Sequence, residues 1–257
     1  MQKNIKAKKK FGQNFLNNSS IIKKIIGLLM VDEKNIIEIG PGKGALTKEL
    51  VNITTNLICF EIDHDMVDHL SNLGIFNNDN KLLIQQDFLT TNLTEYSNFT
   101  IIGNIPYYIT SEIILKIIEN RYLFKRAILM VQKEVADRIV AQPNTDSYSK
   151  LSLTCQYVAK VKKELFVSKS NFTPTPKVDS AIVSFDFYQN INDNYDNLKD
   201  FFKLCFLARR KKLFWSLQTK YDKSLIINVF KTLNLNENIR IQQLNLETIL
   251  ELYKLLN

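Results

Sequence analysis

Three short segments carry residues whose types and spacing could do chemistry. Glu38-Ile39-Gly40-Pro41-Gly42-Lys43-Gly44-Ala45 follows an isoleucine-rich run and opens a helical pattern. Glycines at such a junction let the backbone approach a ligand closely, because side chains there would block it. The spacing reads GxGxG, but Gly40, Gly42 and Ala45 also satisfy GxGxxA, so a nicotinamide dinucleotide must be weighed against other adenosine-bearing cofactors. Glu61, twenty-one residues past Gly40, can accept both ribose hydroxyls in either case. Asp87, in Gln86-Asp87-Phe88, shifts the balance. An acid after a third strand can accept a hydrogen bond from the amino group of an adenine lying across the sheet edge.

A glycine loop with one acid after the second strand and another after the third resembles the cofactor site of S-adenosylmethionine methyltransferases. The bland readings are a tight turn for the glycines, a surface cap for Glu61 and a turn cap for Asp87. The third segment, Asn104-Ile105-Pro106-Tyr107, is similar to the site of amino-directed methyltransferases, an Asn or Asp followed by two residues, the first of them usually Pro, and an aromatic. The exocyclic amine of adenine is a poor nucleophile, since its lone pair is delocalised into the ring. Two acceptors, the Asn104 side-chain oxygen and a backbone carbonyl at Ile105, could bind both amine hydrogens and draw the nitrogen toward tetrahedral geometry. Pro106 fixes the backbone there, and Tyr107 offers a face on which a flipped-out base can stack. No general base is required, because the methylated amine is strongly acidic. Tyr108 reads equally as a second wall or as packing.

The elements that must position these groups follow a strand-then-helix grammar. Candidate strands are residues 35–39, 56–61, 81–86, 100–103 and 126–132, with helical patterns at 45–52, 65–73, 111–119 and 134–141. The strands are short, rich in Ile and Leu and apolar on both faces, as parallel strands covered by helices are. Such alternation predicts an α/β fold, an open Rossmann-like parallel sheet with helices on both sides. An earlier helix, capped by Asn18 or Ser19, carries Ile21, Ile22, Ile25, Ile26 and Leu29 at helical spacing. A late strand at 181–187 fits a hairpin edge. Residues 190–197 read as a linker, and the remainder as helices, such as 198–208 and 246–256. The predicted domains are 1–189, whose first 17 residues form a basic arm and cofactor cover, and a helical domain at 190–257.

Composition bounds the partners. Lys and Arg number 34 against 26 acids, a net charge of +8. Residues 1–30 carry +7 and residues 199–223 carry +6, which leaves the remainder mildly acidic. Two basic ends suit a polyanion such as nucleic acid. The longest uncharged apolar stretch, residues 25–31, is far short of the ~20 residues that span a bilayer. With Lys23 and Lys24 interrupting the first apolar segment, no targeting signal fits, and the expected location is the cytoplasm. Cys59, Cys155 and Cys205 form no CxxC pair, and His64 and His69 lie five apart, so neither a disulfide framework nor a metal site is expected.

With these residues assembled, the sequence is similar to the KsgA family of ribosomal RNA small-subunit adenine dimethyltransferases over nearly its whole length. Lys10-Phe11-Gly12-Gln13-Asn14-Phe15-Leu16 resembles that family's N-terminal signature. The resemblance implies that Asn14 and Leu16 contact S-adenosylmethionine beside Gly40, Gly42, Glu61, Asp87 and Asn104. Phe172-Thr173-Pro174-Thr175-Pro176-Lys177-Val178-Asp179-Ser180 resembles the segment before the late hairpin, which implies that Phe172 stacks on the adenine opposite Tyr107; the bland reading is a rigid loop with a core Phe. One departure is Arg209-Arg210-Lys211-Lys212, which runs into Leu213-Phe214-Trp215 where the family has Lys-Thr and an Asn-bearing helix. This cluster, with Lys8, Lys9 and Lys10, still suits contact with RNA phosphates.

The implied activity is dimethylation of two adjacent adenosines in the 3′-terminal hairpin of 16S rRNA, on a partly assembled 30S subunit, by a monomer. Two rivals stand beside it. An erythromycin-resistance-type enzyme acting on 23S rRNA is opposed by residues 172–180. A non-catalytic RNA-binding relative could dispense with the acids or Asn104, yet all are present.

Overall fold

A computed structural model describes residues 7–76, 78–189 and 194–257. The first part of the predicted basic arm and residues 190–193 of the predicted linker lie outside the described residues.

The chain runs β1 (Phe15–Leu16), α1 (Ser19–Ile26), β2 (Asn35–Ile39), α2 (Thr47–Ile53), β3 (Asn56–Glu61), α3 (His64–Ser71), β4 (Lys81–Gln85), β5 (Phe99–Asn104), α4 (Thr110–Glu119), β6 (Phe124–Gln132) and α5 (Lys133–Ile139). After α6 (Lys150–Val158) come β7 (Ala159–Val167), β8 (Phe172–Thr173) and β9 (Ser180–Phe187). Helices α7 (Tyr195–Cys205), α8 (Leu213–Leu217), α9 (Lys223–Thr232) and α10 (Leu246–Leu256) complete it. Residues 195–197, expected in the linker, open α7 instead.

Two compact units emerge, residues 1–136 with 160–189, and residues 137–159 with 190–257. The second unit therefore claims α6 and the end of α5, which the sequence reading placed in the methyltransferase domain. Tyr148 and Leu153 explain the difference: both are buried in the same apolar cluster as Phe201, Phe202, Leu217 and Leu252. The Tyr148 hydroxyl donates to the Leu244 carbonyl at 2.9 Å.

In the first unit a seven-stranded sheet has the order β4-β3-β2-β5-β6-β9-β7. Its first five strands are parallel, and β9 runs antiparallel to β6. Strand β9 is interior, so residues 181–187 are not the edge that the sequence suggested. The edge is β7, a strand absent from the sequence reading; its Lys160, Lys162 and Lys163 break the apolar pattern, and lysines of this kind blunt a sheet edge against further pairing. Asn18 caps α1, accepting hydrogen bonds from the Ser20 and Ile21 amides, and Ile25 enters the core.

Chain direction across the sheet reverses between β2 and β5: β3 and β4 lie on one side of β2, and β5 and β6 on the other. A crevice at the carboxyl ends of the strands is expected at such a switch point. Ile39 pairs with Gly103 there, so the loop after β2 and Asn104 share one edge. A Cβ on Gly103 would sit 2.7 Å from the Ile39 carbonyl oxygen, so only glycine lets the two strands meet at this point.

Candidate active site

The crevice is a cavity of about 1300 Å³ including its open mouth. Asn14, Leu16, Gly40, Gly42, Glu61, Asp87, Asn104, Ile105, Pro106 and Tyr107 all line it. The sequence reading thus marks ten residues, distant along the chain, that meet in one place. Glu38, Gln13, Phe15 and Lys43 join them. Of these, Glu38 and Lys43 lay in the glycine motif itself, while Gln13 and Phe15 lay in the N-terminal signature.

Gly40 and Gly42 have positive φ values of 64° and 55°, a region that L side chains rarely adopt. A Cβ on Gly42 would also press on the Phe15 ring at 3.1 Å. Behind the loop, the Glu61 carboxylate accepts the Gly42 amide at 3.0 Å and the Asp63 amide at 2.9 Å. Glu61 also lines the cavity, where a carboxylate can accept from a ribose diol. Burial pushes the Glu61 carboxyl up from its ordinary range, against the pull of those amides. Asp87 accepts the Leu89 amide at 2.9 Å, which fixes its carboxylate at the rim. The cradle of bare glycine backbone, the Glu61 carboxylate in the cavity wall and the positioned Asp87 fit an adenosine-bearing cofactor such as S-adenosylmethionine.

Glu38 is buried beneath the loop. Burial raises its carboxyl from 4.5 to about 7, while the Thr47 and Cys59 side chains oppose the shift. The Cys59 thiol donates to it at 3.5 Å. All three cysteines are buried and free. Among the described residues no acidic, thiol or imidazole cluster could hold a metal ion, and no helix is long and apolar enough to cross a membrane.

Asn104 ends β5, and its Nδ2 donates to the Asn14 carbonyl at 2.9 Å. A carbonyl can face only the NH₂ side of the amide, so this bond fixes the orientation and leaves Oδ1 as the free acceptor. The next residue is anchored by its amide, which donates from Ile105 to the Met130 carbonyl at 3.0 Å. Thr110 Oγ1 donates to the Pro106 carbonyl at 3.1 Å and lies 3.3 Å from that of Tyr107. The Tyr107 hydroxyl lies 2.7 Å from Ser180 Oγ, and burial raises its pKa. Ser180 is fully buried at the start of β9. Its place at the end of the proline-bearing segment was the only hint of this role in the sequence.

The N-terminal segment is strapped beside this floor. Lys8 Nζ lies 2.6 Å from carboxylate oxygens of both Asp63 and Asp65, and Gln13 Nε2 donates to Asp63 at 2.7 Å. These bonds hold the Asp63 carboxyl below its ordinary range. Lys8 therefore ties down a cover and is not a free phosphate contact, contrary to the sequence reading. Lys9 and Lys10 are exposed. Tyr108, 56% exposed, packs its ring against Gly12, where a Cβ would meet it at 3.0 Å.

Two more expectations change. Phe172 is 2% exposed and lies in the core cluster with Leu16, Ile25 and Ile182, not in the cavity. Its backbone, paired with Leu16 in the β1–β8 ladder, is what serves the site, since it positions the segment bearing Asn14. Arg209 directs its guanidinium at the Asp146 and Thr145 carbonyls, at 2.6 and 3.2 Å, and so stabilises the helical unit. Arg210, Lys211 and Lys212 are exposed and line a second, open cleft.

Sheet order, glycine loop, paired acids and the Asn104 acceptor define a Rossmann-like S-adenosylmethionine-dependent methyltransferase. A family model described as Ribosomal RNA adenine dimethylase matches residues 4–257, and the chain belongs to that family. It is 45% identical over 254 residues to the Ribosomal RNA small subunit methyltransferase A of Mycoplasmopsis synoviae (strain 53), covering 98% of this chain and 97% of that one. Among solved structures, a dimethyladenosine transferase from Plasmodium falciparum superposes with a TM-score of 0.82 at 28% identity, covering 93% and 95% of the two chains. The 23S rRNA methyltransferase ErmE superposes with a TM-score of 0.75 at 25% identity, covering 95% and 99%.

Proposed function

We propose that this chain dimethylates N6 of two adjacent adenosines in the 3′-terminal hairpin loop of small-subunit rRNA, acting as a monomer on a partly assembled 30S particle. The observation that carries the chemistry is the Asn104 amide, fixed by the Asn14 carbonyl with its oxygen free at the cofactor cavity. Similarity over nearly full length to a relative named for the small subunit supports the substrate. Likeness to ErmE keeps the large subunit as the rival substrate.

S-adenosylmethionine, when bound, supplies an electrophilic methyl group. Glu61 and Asp87 hold the adenosine part, and Gly40 and Gly42 give the backbone room to approach it. Asn104 Oδ1 accepts one hydrogen of the target amine. The Pro106 and Tyr107 carbonyls are within reach of Thr110 Oγ1, and we assign the second acceptor to the Ile105 carbonyl. Together they draw the lone pair out of conjugation and aim it. Tyr107 stacks on the extruded base, and solvent takes the proton released after transfer.

The experiment is methyl transfer from labelled S-adenosylmethionine to unmethylated 30S particles, with 50S particles alongside. Label in 30S RNA supports the assignment; label confined to 50S RNA transfers the protein to the rival substrate.

A further inference from the structure

The second cleft lies wholly within the helical unit and is lined by Arg210, Lys211, Lys212, Trp215, Asn238 and Arg240. Four of the six are cations and none is an acid. Its walls are held by a backbone bond from the Leu213 amide to the Ile239 carbonyl at 2.8 Å, and by Leu213 and Ile241, each 1% exposed. Trp215, the chain's only tryptophan, is 60% exposed on the rim. Helix α8 meets its packing needs without it: Leu213, Ser216 and Leu217 are buried, and Phe214 packs edge-on against Phe230.

A large aromatic left in water beside four cations is a poor use of apolar surface unless something covers it. An indole face stacks on any base at little cost in sequence preference, and arginine and lysine beside it neutralise the phosphates. We infer that Trp215, with Arg210, Lys212 and Arg240, forms a subsite for one unpaired nucleotide of RNA, its base on the indole and its phosphates on the cations. The subsite rests on the reading that this chain acts on RNA. It adds a single-stranded anchor, separate from the methyl-accepting cavity, where a phosphate-only cluster would grip any backbone.

Because Trp215 is the sole tryptophan, its fluorescence reports this subsite alone. The full chain is titrated with a short single-stranded RNA and, in parallel, with inorganic polyphosphate; methyl transfer to small subunits is measured on the same preparation. The expected result is saturable quenching by RNA, with Trp215→Ala weakening RNA binding about 5- to 100-fold, the range for loss of one stacked base. Polyphosphate affinity stays the same. Arg240→Gln, which leaves the indole in place, should lower the salt slope of RNA binding by about 0.7. Equal RNA affinity in Trp215→Ala, or binding without quenching, overturns the subsite. So does a loss seen only with intact subunits, which would make the indole a protein contact. Quenching without methyl transfer would instead retain the subsite and overturn the proposed activity.

Discussion

The Tyr107 hydroxyl and the Ser180 side-chain oxygen lie 2.7 Å apart, joining the loop after β5 to the first residue of β9. The bond fixes the ring on which a target base would stack, and Ser180 is too deeply buried to touch substrate itself. Ser180→Ala should reduce kcat for methyl transfer about five- to tenfold, the ~1 kcal/mol of one hydrogen bond. Cofactor affinity should hold. Tyr107→Phe should cost a similar amount, and the double variant no more than either single one. Additive losses would mean that the two residues act separately.

Asn104 separates its two functions by atom. Asn104→Ala removes the free acceptor, and transfer should fall by about 10²–10³-fold, the usual cost of one preorganised transition-state contact, with cofactor binding largely retained. Asn104→Asp keeps an acceptor but places a carboxylate oxygen against the Asn14 carbonyl, where Nδ2 donated. That variant should also lose most of its activity. A fully active Asp variant would show that the Asn14 bond does not orient the amide.

The Lys8, Gln13 and Asp63 bonds hold the segment that carries Asn14 and Leu16. Asp63→Asn removes the charge that pairs with Lys8, so the cover should loosen and the dissociation constant for S-adenosylhomocysteine should rise. Calorimetric titration measures it. Because the Lys8 pair is partly exposed, the effect should shrink as salt screens the wild-type pair. An unchanged constant at low salt would remove the latch from the account.

Glu38 predicts an unusual pH dependence. Its carboxyl rises from 4.5 to about 7 on folding, chiefly through burial. The folded state therefore binds this proton more tightly than the unfolded state. The cofactor-free protein should lose stability as pH climbs from about 4.5 to about 7, by as much as ~3 kcal/mol, and level off above. Glu38→Gln should flatten that slope. Asp63, whose carboxyl is lowered, acts in the opposite sense and only at more acid pH. Melting curves of both proteins from pH 5 to 8 make the comparison, and parallel slopes would contradict it.

The site was legible where chemistry demands particular residues in a continuous run. Glycine backbone, an acid after each of two strands and Asn-Ile-Pro-Tyr must stand at strand ends, so their spacing, together with their resemblance to methyltransferase motifs, located them. Long-range partnership was not legible. Nothing local tells that Lys8 meets Asp63 across 55 residues, that Arg209 spends its guanidinium on the Asp146 carbonyl, or that Phe172 turns into the core beside Leu16. The fold followed the same rule. Buried parallel strands announced themselves by apolar runs, while the lysine-bearing edge strand β7 has none and was not among the predicted strands. Residues 137–159 joined the helical unit through Tyr148 and Leu153, contacts that no composition change along the chain marks.

Dimethylation of adenine N6 in small-subunit RNA at the Asn104 cavity can be tested on the RNA itself. The most direct measurement is mass spectrometry of nuclease fragments of 16S rRNA after unmethylated 30S particles have been incubated with the protein and S-adenosylmethionine. Two adjacent positions of the 3′-terminal hairpin should carry N6,N6-dimethyladenosine, absent with Asn104→Ala. Unmodified hairpin fragments alongside bound cofactor, or methyl groups on any atom other than adenine N6, would contradict it.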